Sequence, residues 1–355
     1  MRAEGGLLGE RAVLDLTSVL AAEIHGLGPL QQLLEDESVT DVLVNGASDV
    51  WVDRGEGLER SSVHFRDEGQ VRALAQRVAA RCGRRLDDAS PWVDARLPDG
   101  TRVHAVLPPV SASTTLISVR VVRRRAFTLD ELVALGSVPP LGAQWLQALV
   151  SARVAFVLSG GTGTGKTTVL STLLASVDPA ERIVIVEDAA ELRPDHPHVV
   201  RLEARTANIE GVGVADLRTL VRQALRMRPD RLVVGEARGA EVADLLAAMN
   251  TGHEGGCATV HANSAADVPA RFEALGLLAG LSREALHSQV ASALDAVVHL
   301  VRDRSGRRRI AGIAVVERNS DGSTVAVPAV VFGAQGMVEA GPGEASLRRR
   351  IERSS

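Results

Sequence analysis

A chain of 355 residues with 45% hydrophobic content is longer than one ordinary core supports, so two domains are expected. A net charge of −4 exerts no global pull toward nucleic acid, and two cysteines, Cys82 and Cys257, exclude a disulfide scaffold and fit a reducing cytoplasm. No run approaches the roughly 18 uninterrupted apolar residues of a membrane span, and no basic-then-apolar targeting signal opens the chain, so any membrane association is expected to go through a partner.

In chain order, a helix is expected around Val13 to Glu23, followed by Gly28-Pro29 punctuation, a short helix and a strand at Val42 to Val44. Trp51 and Val52 lead into a hairpin-like segment rich in Gly and charge. Val71, Leu74, Ala75, Val78 and Ala79 recur at helical spacing, and RVHAVLPPV and TTLISVRVV read as two strands divided by Pro108-Pro109. Residues 1–122 thus form a smaller α+β domain, and 123–140, with Arg123 to Arg125 and Pro/Gly punctuation, form a linker.

In the second domain, 141–355, apolar runs at Val154 to Leu158, Ile183 to Val186 and Leu232 to Val234 alternate with helical stretches. That is the pattern of an α/β fold with a parallel-core sheet. Two hairpins with turns at Ser305-Gly306 and Asp321-Gly322 follow, then a basic, frayed tail, SLRRRIERSS.

The only lysine in the chain is Lys166; every other of the 40 basic residues is arginine. It stands in GGTGTGKTT, where Gly160, Gly165, Lys166 and Thr167 fit the pattern G-x-x-x-x-G-K-[ST]. A compact ammonium on a flexible stem follows the β/γ-phosphates, whereas a planar guanidinium is too wide for the loop. Gly160, Gly161, Gly163 and Gly165, interleaved with Thr162 and Thr164, let backbone N–H groups turn inward as an anion nest. Thr167 offers a hydroxyl to Mg²⁺, and Thr167-Thr168 open a helix whose N-terminus faces the phosphates. ATP and Mg²⁺ are the implied cofactors.

Hydrolysis needs acids against the γ-phosphate, and two further apolar runs end in them: IVIVEDAAEL, with Glu187, Asp188 and Glu191, and RLVVGEARG, with Glu236. Glu236 has the form of a strand-end carboxylate that reaches the Mg²⁺ shell. Spacing alone leaves open which of Glu187 and Glu191 orients water and which holds a hydrogen bond.

GGTGTGKTT, IVIVEDAAEL, LRMRPDRLVVGEARGAE and TGHEGGCATVHANS, in this order, resemble the secretion ATPase superfamily: the motors of type II and type IV secretion, of pilus assembly and retraction, and of conjugal transfer. The pattern looks closest to the tight-adherence pilus branch. GLGPLQQLLEDESVTDVLVNG and VDARLPDGTRVHAVLPP extend the resemblance over about Gly26 to Val301.

The resemblance implies a RecA-like P-loop domain preceded by a smaller α+β domain, a hexameric homo-oligomer, and ATP held between the two domains. It further implies that Glu191 activates water, that Glu236 is the Walker B acid, and that His253 and His261 form a box sensing nucleotide state. Arg102 and Arg120 would reach the γ-phosphate, and Arg226 and Arg228 would act across the subunit interface. The partner implied is an integral inner-membrane platform protein, with the motor itself in the cytoplasm. Gly256-Cys257 departs from the family pattern and creates the string His253, Cys257, His261, whose spacing would suit zinc on a helix; Gly252, Gly255, Gly256 and the strand-like Ala258 to Val260 argue against a helix there.

Conjugal DNA transfer is the alternative motor function, but aromatic residues at 2% with no tyrosine scarcely offer a base-stacking platform. The arginine runs at 123–125, 307–309 and 348–350 read as solvated linker, turn and tail, with acidic lipid or nucleic acid the alternative. A nucleotide-gated adaptor with little turnover is the alternative of another class, and the paired acids with a sensor histidine speak against it.

Overall fold

The computed structural model describes residues 26–354 apart from 37, 56, 122–125, 206–212, 253–254, 304–305 and 334–336. The helix expected at Val13 to Glu23, the Arg123 to Arg125 run and His253 lie outside the described residues. The chain divides into two compact units, Met1–Arg123 and Arg124–Ser355.

The first unit is built on a six-stranded antiparallel sheet in the order β3-β2-β1-β6-β5-β4: β1 (Asp41–Val44), β2 (Val50–Asp53), β3 (Leu58–Arg60), β4 (Trp92–Arg96), β5 (Arg102–Val106) and β6 (Leu116–Arg120). Alternation in the strands puts Val42, Val44, Val93, Ala95, Val103, Ala105, Ile117 and Val119 on one buried face. The helix Glu68–Arg81 supplies Val71, Leu74, Ala75, Val78 and Ala79 to the same core, and Asp67 caps it by accepting the Gln70 N–H at 2.8 Å. On the other face, register aligns Arg96, Arg102, Arg120 and Asp41 across four adjacent strands.

The second unit carries a nine-stranded sheet in the order β15-β14-β13-β12-β7-β11-β10-β8-β9. Its strands are β7 (Phe156–Ser159), β8 (Ile183–Glu187), β9 (Val199–Glu203), β10 (Arg231–Val234), β11 (Cys257–Val260), β12 (Ala296–Arg302), β13 (Arg308–Arg318), β14 (Thr324–Phe332) and β15 (Val338–Ala340). β12, β7, β11, β10, β8 and β9 run parallel, and β13 to β15 extend the sheet antiparallel. Burial on both faces explains the continuous apolar runs: Phe156 and Leu158 enter one core cluster and Val157 the other.

Two segments differ from the sequence expectation. Within the stretch read as linker, Leu129–Ala134 is a helix with a full capping box between Thr128 and Glu131, and Leu132 and Val138 are buried in the core of the second unit. The C-terminal run is a helix, Glu344–Ser354, not a frayed tail. Leu347 is fully buried, the Arg348 guanidinium lies 4.7 Å from the Trp145 ring centroid, and Arg350 pairs with Asp295 and donates to the Val316 carbonyl at 2.6 Å. Only Leu347 and Ile351 mark an apolar stripe, so the arginines obscured a helix that is anchored largely through them.

Candidate active site

Gly160 to Thr168 joins β7 to the helix Lys166–Ala175, at the carboxyl end of a strand flanked by β11 and β12. Gly160, Gly163 and Gly165 all have positive φ. Gly160 is the most constrained, because a Cβ there would lie 2.5 Å from the Leu300 carbonyl oxygen and 2.8 Å from Thr164 Oγ1. Thr164 Oγ1 donates to the Gly161 carbonyl at 2.9 Å and so closes the loop on itself.

Lys166 is 8% exposed, and its Nζ donates to the Gly160 and Gly161 carbonyls at 2.9 Å each. Burial lowers its pKa; Glu236 opposes that shift and Arg238 adds to it. Thr167 and Thr168 are half-buried at the start of the helix, while Gly161, Thr162 and Gly163 form its exposed approach.

Glu236 lies just beyond β10. Its Oε2 pairs with Arg238, and its Oε1 lies 2.7 Å from His261 Nε2, outside hydrogen-bonding geometry. His261 stands at the carboxyl end of β11, its pKa lowered chiefly by burial and by the nearby Lys166 charge, with Glu236 opposing. Arg238 also lies 4.0 Å from Asp188 and within electrostatic reach of Glu191; its hydrogen bond to Glu236 is the main cause of its raised pKa.

Lys166, Glu236, His261, Arg238, Asp188 and Glu191 therefore converge from four parallel strands, as ligand sites in such sheets do. Arg238 is the residue that sequence reasoning missed. Its position two residues after Glu236 was visible, but among so many arginines nothing singled it out.

Glu187 is buried at the end of β8, with Oε1 accepting the N–H groups of Glu191 and Leu192 and its pKa pushed up to about 7 by desolvation. Gly235 makes room for it, since a Cβ there would stand 2.6 Å from Glu187 Cγ. Glu187 thus holds the loop that bears Glu191 through these two hydrogen bonds.

Cys257 is fully buried at the start of β11, its thiol pushed up to about 12 by desolvation. Gly255 packs on the Arg231 guanidinium at the opening end of the strand, and His261 stands past its far end. Arg226 and Arg228 are exposed on the second unit. Arg102 and Arg120 belong to the first unit, where Arg120 Nε contacts Asp41 Oδ1 at 3.1 Å.

The donor set fits Mg²⁺: a hydroxyl at Thr167 and a carboxylate at Glu236 whose buried Oε1 makes no hydrogen bond. Such a cation would neutralise phosphate charge there.

A phosphate loop on a central parallel strand, with acids and a histidine from neighbouring strands, defines a RecA-like P-loop ATPase. The model of the type II/IV secretion system protein family matches residues 23–353. The chain belongs to this family and is a secretion ATPase. It is 56% identical to a putative conjugal transfer protein of Mycobacterium tuberculosis over 90% of this chain and 93% of that one. It is 33% identical to the type IV secretion system protein PtlH of Bordetella pertussis, over 81% of this chain and 93% of that one. In fold it is similar to the Legionella pneumophila ATPase DotB, with a TM-score of 0.58 at 17% identity over 91% of this chain and 86% of that one.

Proposed function

We propose that this protein is one subunit of a homo-hexameric ring that hydrolyses ATP, with Mg²⁺, to drive pilus assembly or protein secretion through a membrane complex. The observation that carries this reading is the convergence of Lys166, Glu236, His261 and the Glu191 loop at the carboxyl ends of parallel strands. Lys166 and the loop N–H groups hold the phosphates, Thr167 and Glu236 hold Mg²⁺, Glu191 activates the attacking water, and His261 senses the γ-phosphate through Glu236. Residues 1–122 act as the N-terminal domain, with Arg102 and Arg120 completing the charge around the γ-phosphate, and 141–355 act as the motor domain. Arg226 and Arg228 serve the subunit interface.

No helix among the described residues is long and apolar enough to cross a membrane. We infer a cytoplasmic motor docked on an integral platform protein from its membership of the secretion family. The test is steady-state phosphate release from ATP measured beside particle mass: magnesium-dependent turnover by a ring supports the motor, and tight ATP binding without turnover supports the adaptor.

A second reading, conjugal DNA transfer, is favoured by the name of the relative at 56% identity. Turnover stimulated by single- or double-stranded DNA would select it.

A further inference from the structure

We propose that His299 is a positioning residue for ATP hydrolysis, tying the base of the phosphate loop to the segment that follows His261. The inference rests on the assignment of Glu236 and His261 to the hydrolytic site.

His299 lies on β12 between Val298 and Leu300, and it is 8% exposed. A polar ring in such a strand costs free energy unless it is hydrogen-bonded, and valine or leucine would fill the position without that cost. Its two neighbours are informative. Parallel register sets it opposite Ser159, and its Nδ1 lies 2.9 Å from Ser159 Oγ. Ser159 is fully buried and immediately precedes Gly160. Its other neighbour is the Asn263 backbone, which favours the protonated ring while burial disfavours it. Asn263 is two residues beyond His261.

The ring therefore links two segments that meet the nucleotide from different strands. Holding β12 to β7 does not require it, because the backbone ladder already joins Ala296 to Phe156 and Val298 to Leu158. Next to it, the Leu300 carbonyl walls the first glycine of the loop, and at His299/Leu300 the pairing with β13 shifts register. The β12 backbone here is shaped around the loop. His299 thus stands between the stretch that follows His261 and the base of the phosphate loop, bonded to the latter through Ser159.

The test measures kcat, KM for ATP and melting temperature for Ser159→Ala, His299→Leu, His299→Gln and the double variant Ser159→Ala/His299→Leu, with Glu236→Gln as control. His299→Leu is expected to lower kcat about tenfold with KM within about twofold of wild type. His299→Gln, which keeps one donor and one acceptor, should recover most of that loss. The double variant should be no worse than His299→Leu alone, since both remove one linkage. Wild-type kcat in His299→Leu, multiplicative losses in the double variant, or a loss confined to KM would each overturn the proposal. If His299→Leu does not fold, Ser159→Ala decides: reduced kcat at unchanged melting temperature supports the linkage, and unchanged kcat rejects it. Retained turnover in Glu236→Gln would instead show that the site assignment itself is wrong.

Discussion

Glu187 and Glu191 are joined through the backbone: Glu187 Oε1 accepts the Glu191 N–H at 3.0 Å, and the Leu192 N–H at 2.9 Å alongside it. The buried acid supports the loop, and the half-buried one lies near Arg238. Glu191→Gln is expected to lower turnover at least about a hundredfold while ATP still binds, because the amide keeps shape and loses basicity. Glu187→Gln retains an acceptor for both N–H groups and should cost less than about tenfold, whereas Glu187→Ala releases the loop. Phosphate-release assays on the three variants check the order, and a larger loss in Glu187→Gln than in Glu191→Gln would reverse the assignment.

The same buried carboxyl makes stability depend on pH. Its folded pKa is raised from 4.5 to about 7, so between these values the folded state keeps a proton that the unfolded state releases. Its contribution is fully present below the unfolded pKa and is lost as pH rises through the window. Exposed carboxylates with lowered pKa, Asp36 and Asp67 among them, act in the opposite sense, so the informative quantity is a difference between variants. Relative to wild type, Glu187→Gln should gain stability between pH 5 and pH 8, by about 3 kcal/mol if the whole shift is realised. Urea unfolding at the two pH values measures this, and an identical pH dependence in both proteins would exclude Glu187 as the cause.

Lys166 occupies a tight setting, with one ammonium between two carbonyls under a loop whose first glycine has no space for a methyl group. Both Lys166→Ala and Lys166→Arg should lower hydrolysis at least about a hundredfold, the first by loss of charge and the second by width. Unchanged melting temperatures would assign the loss to chemistry. Near-normal turnover in Lys166→Arg would refute the argument that the loop selects an ammonium.

How far the sequence foretold this site depends on the range of each interaction. The phosphate loop is local, since Gly160, Gly165, Lys166 and Thr167 lie close together in sequence, and the buried strands ending in Glu187 and Val234 show as continuous apolar runs. Arg238 gains its meaning from Asp188 and Glu191, on the loop after β8, as well as from neighbouring Glu236, and His299 from Ser159 on another strand and from Asn263 beyond a third. No spacing encodes those meetings. The Glu344–Ser354 helix was hidden for a related reason: its arginine-rich composition reads as solvated, while Asp295 and Trp145, which hold Arg350 and Arg348, lie far away in the chain.

Arg120 tests the proposed ring. It shares a register row with Arg102 on an open sheet face of the first unit and contacts Asp41, a side chain in the same unit. If these arginines serve the γ-phosphate, turnover requires the two domains to close over ATP, and subunit contacts in a ring favour such closure. Arg120→Ala is therefore expected to lower kcat about tenfold or more while ATP binding survives, as expected for a group used chiefly in the transition state. Specific activity of the unmodified protein should rise with concentration as rings form, followed by light scattering on the same samples. A constant specific rate across a dilution series that takes the protein to monomers would separate hydrolysis from assembly, and with it the role given to Arg120.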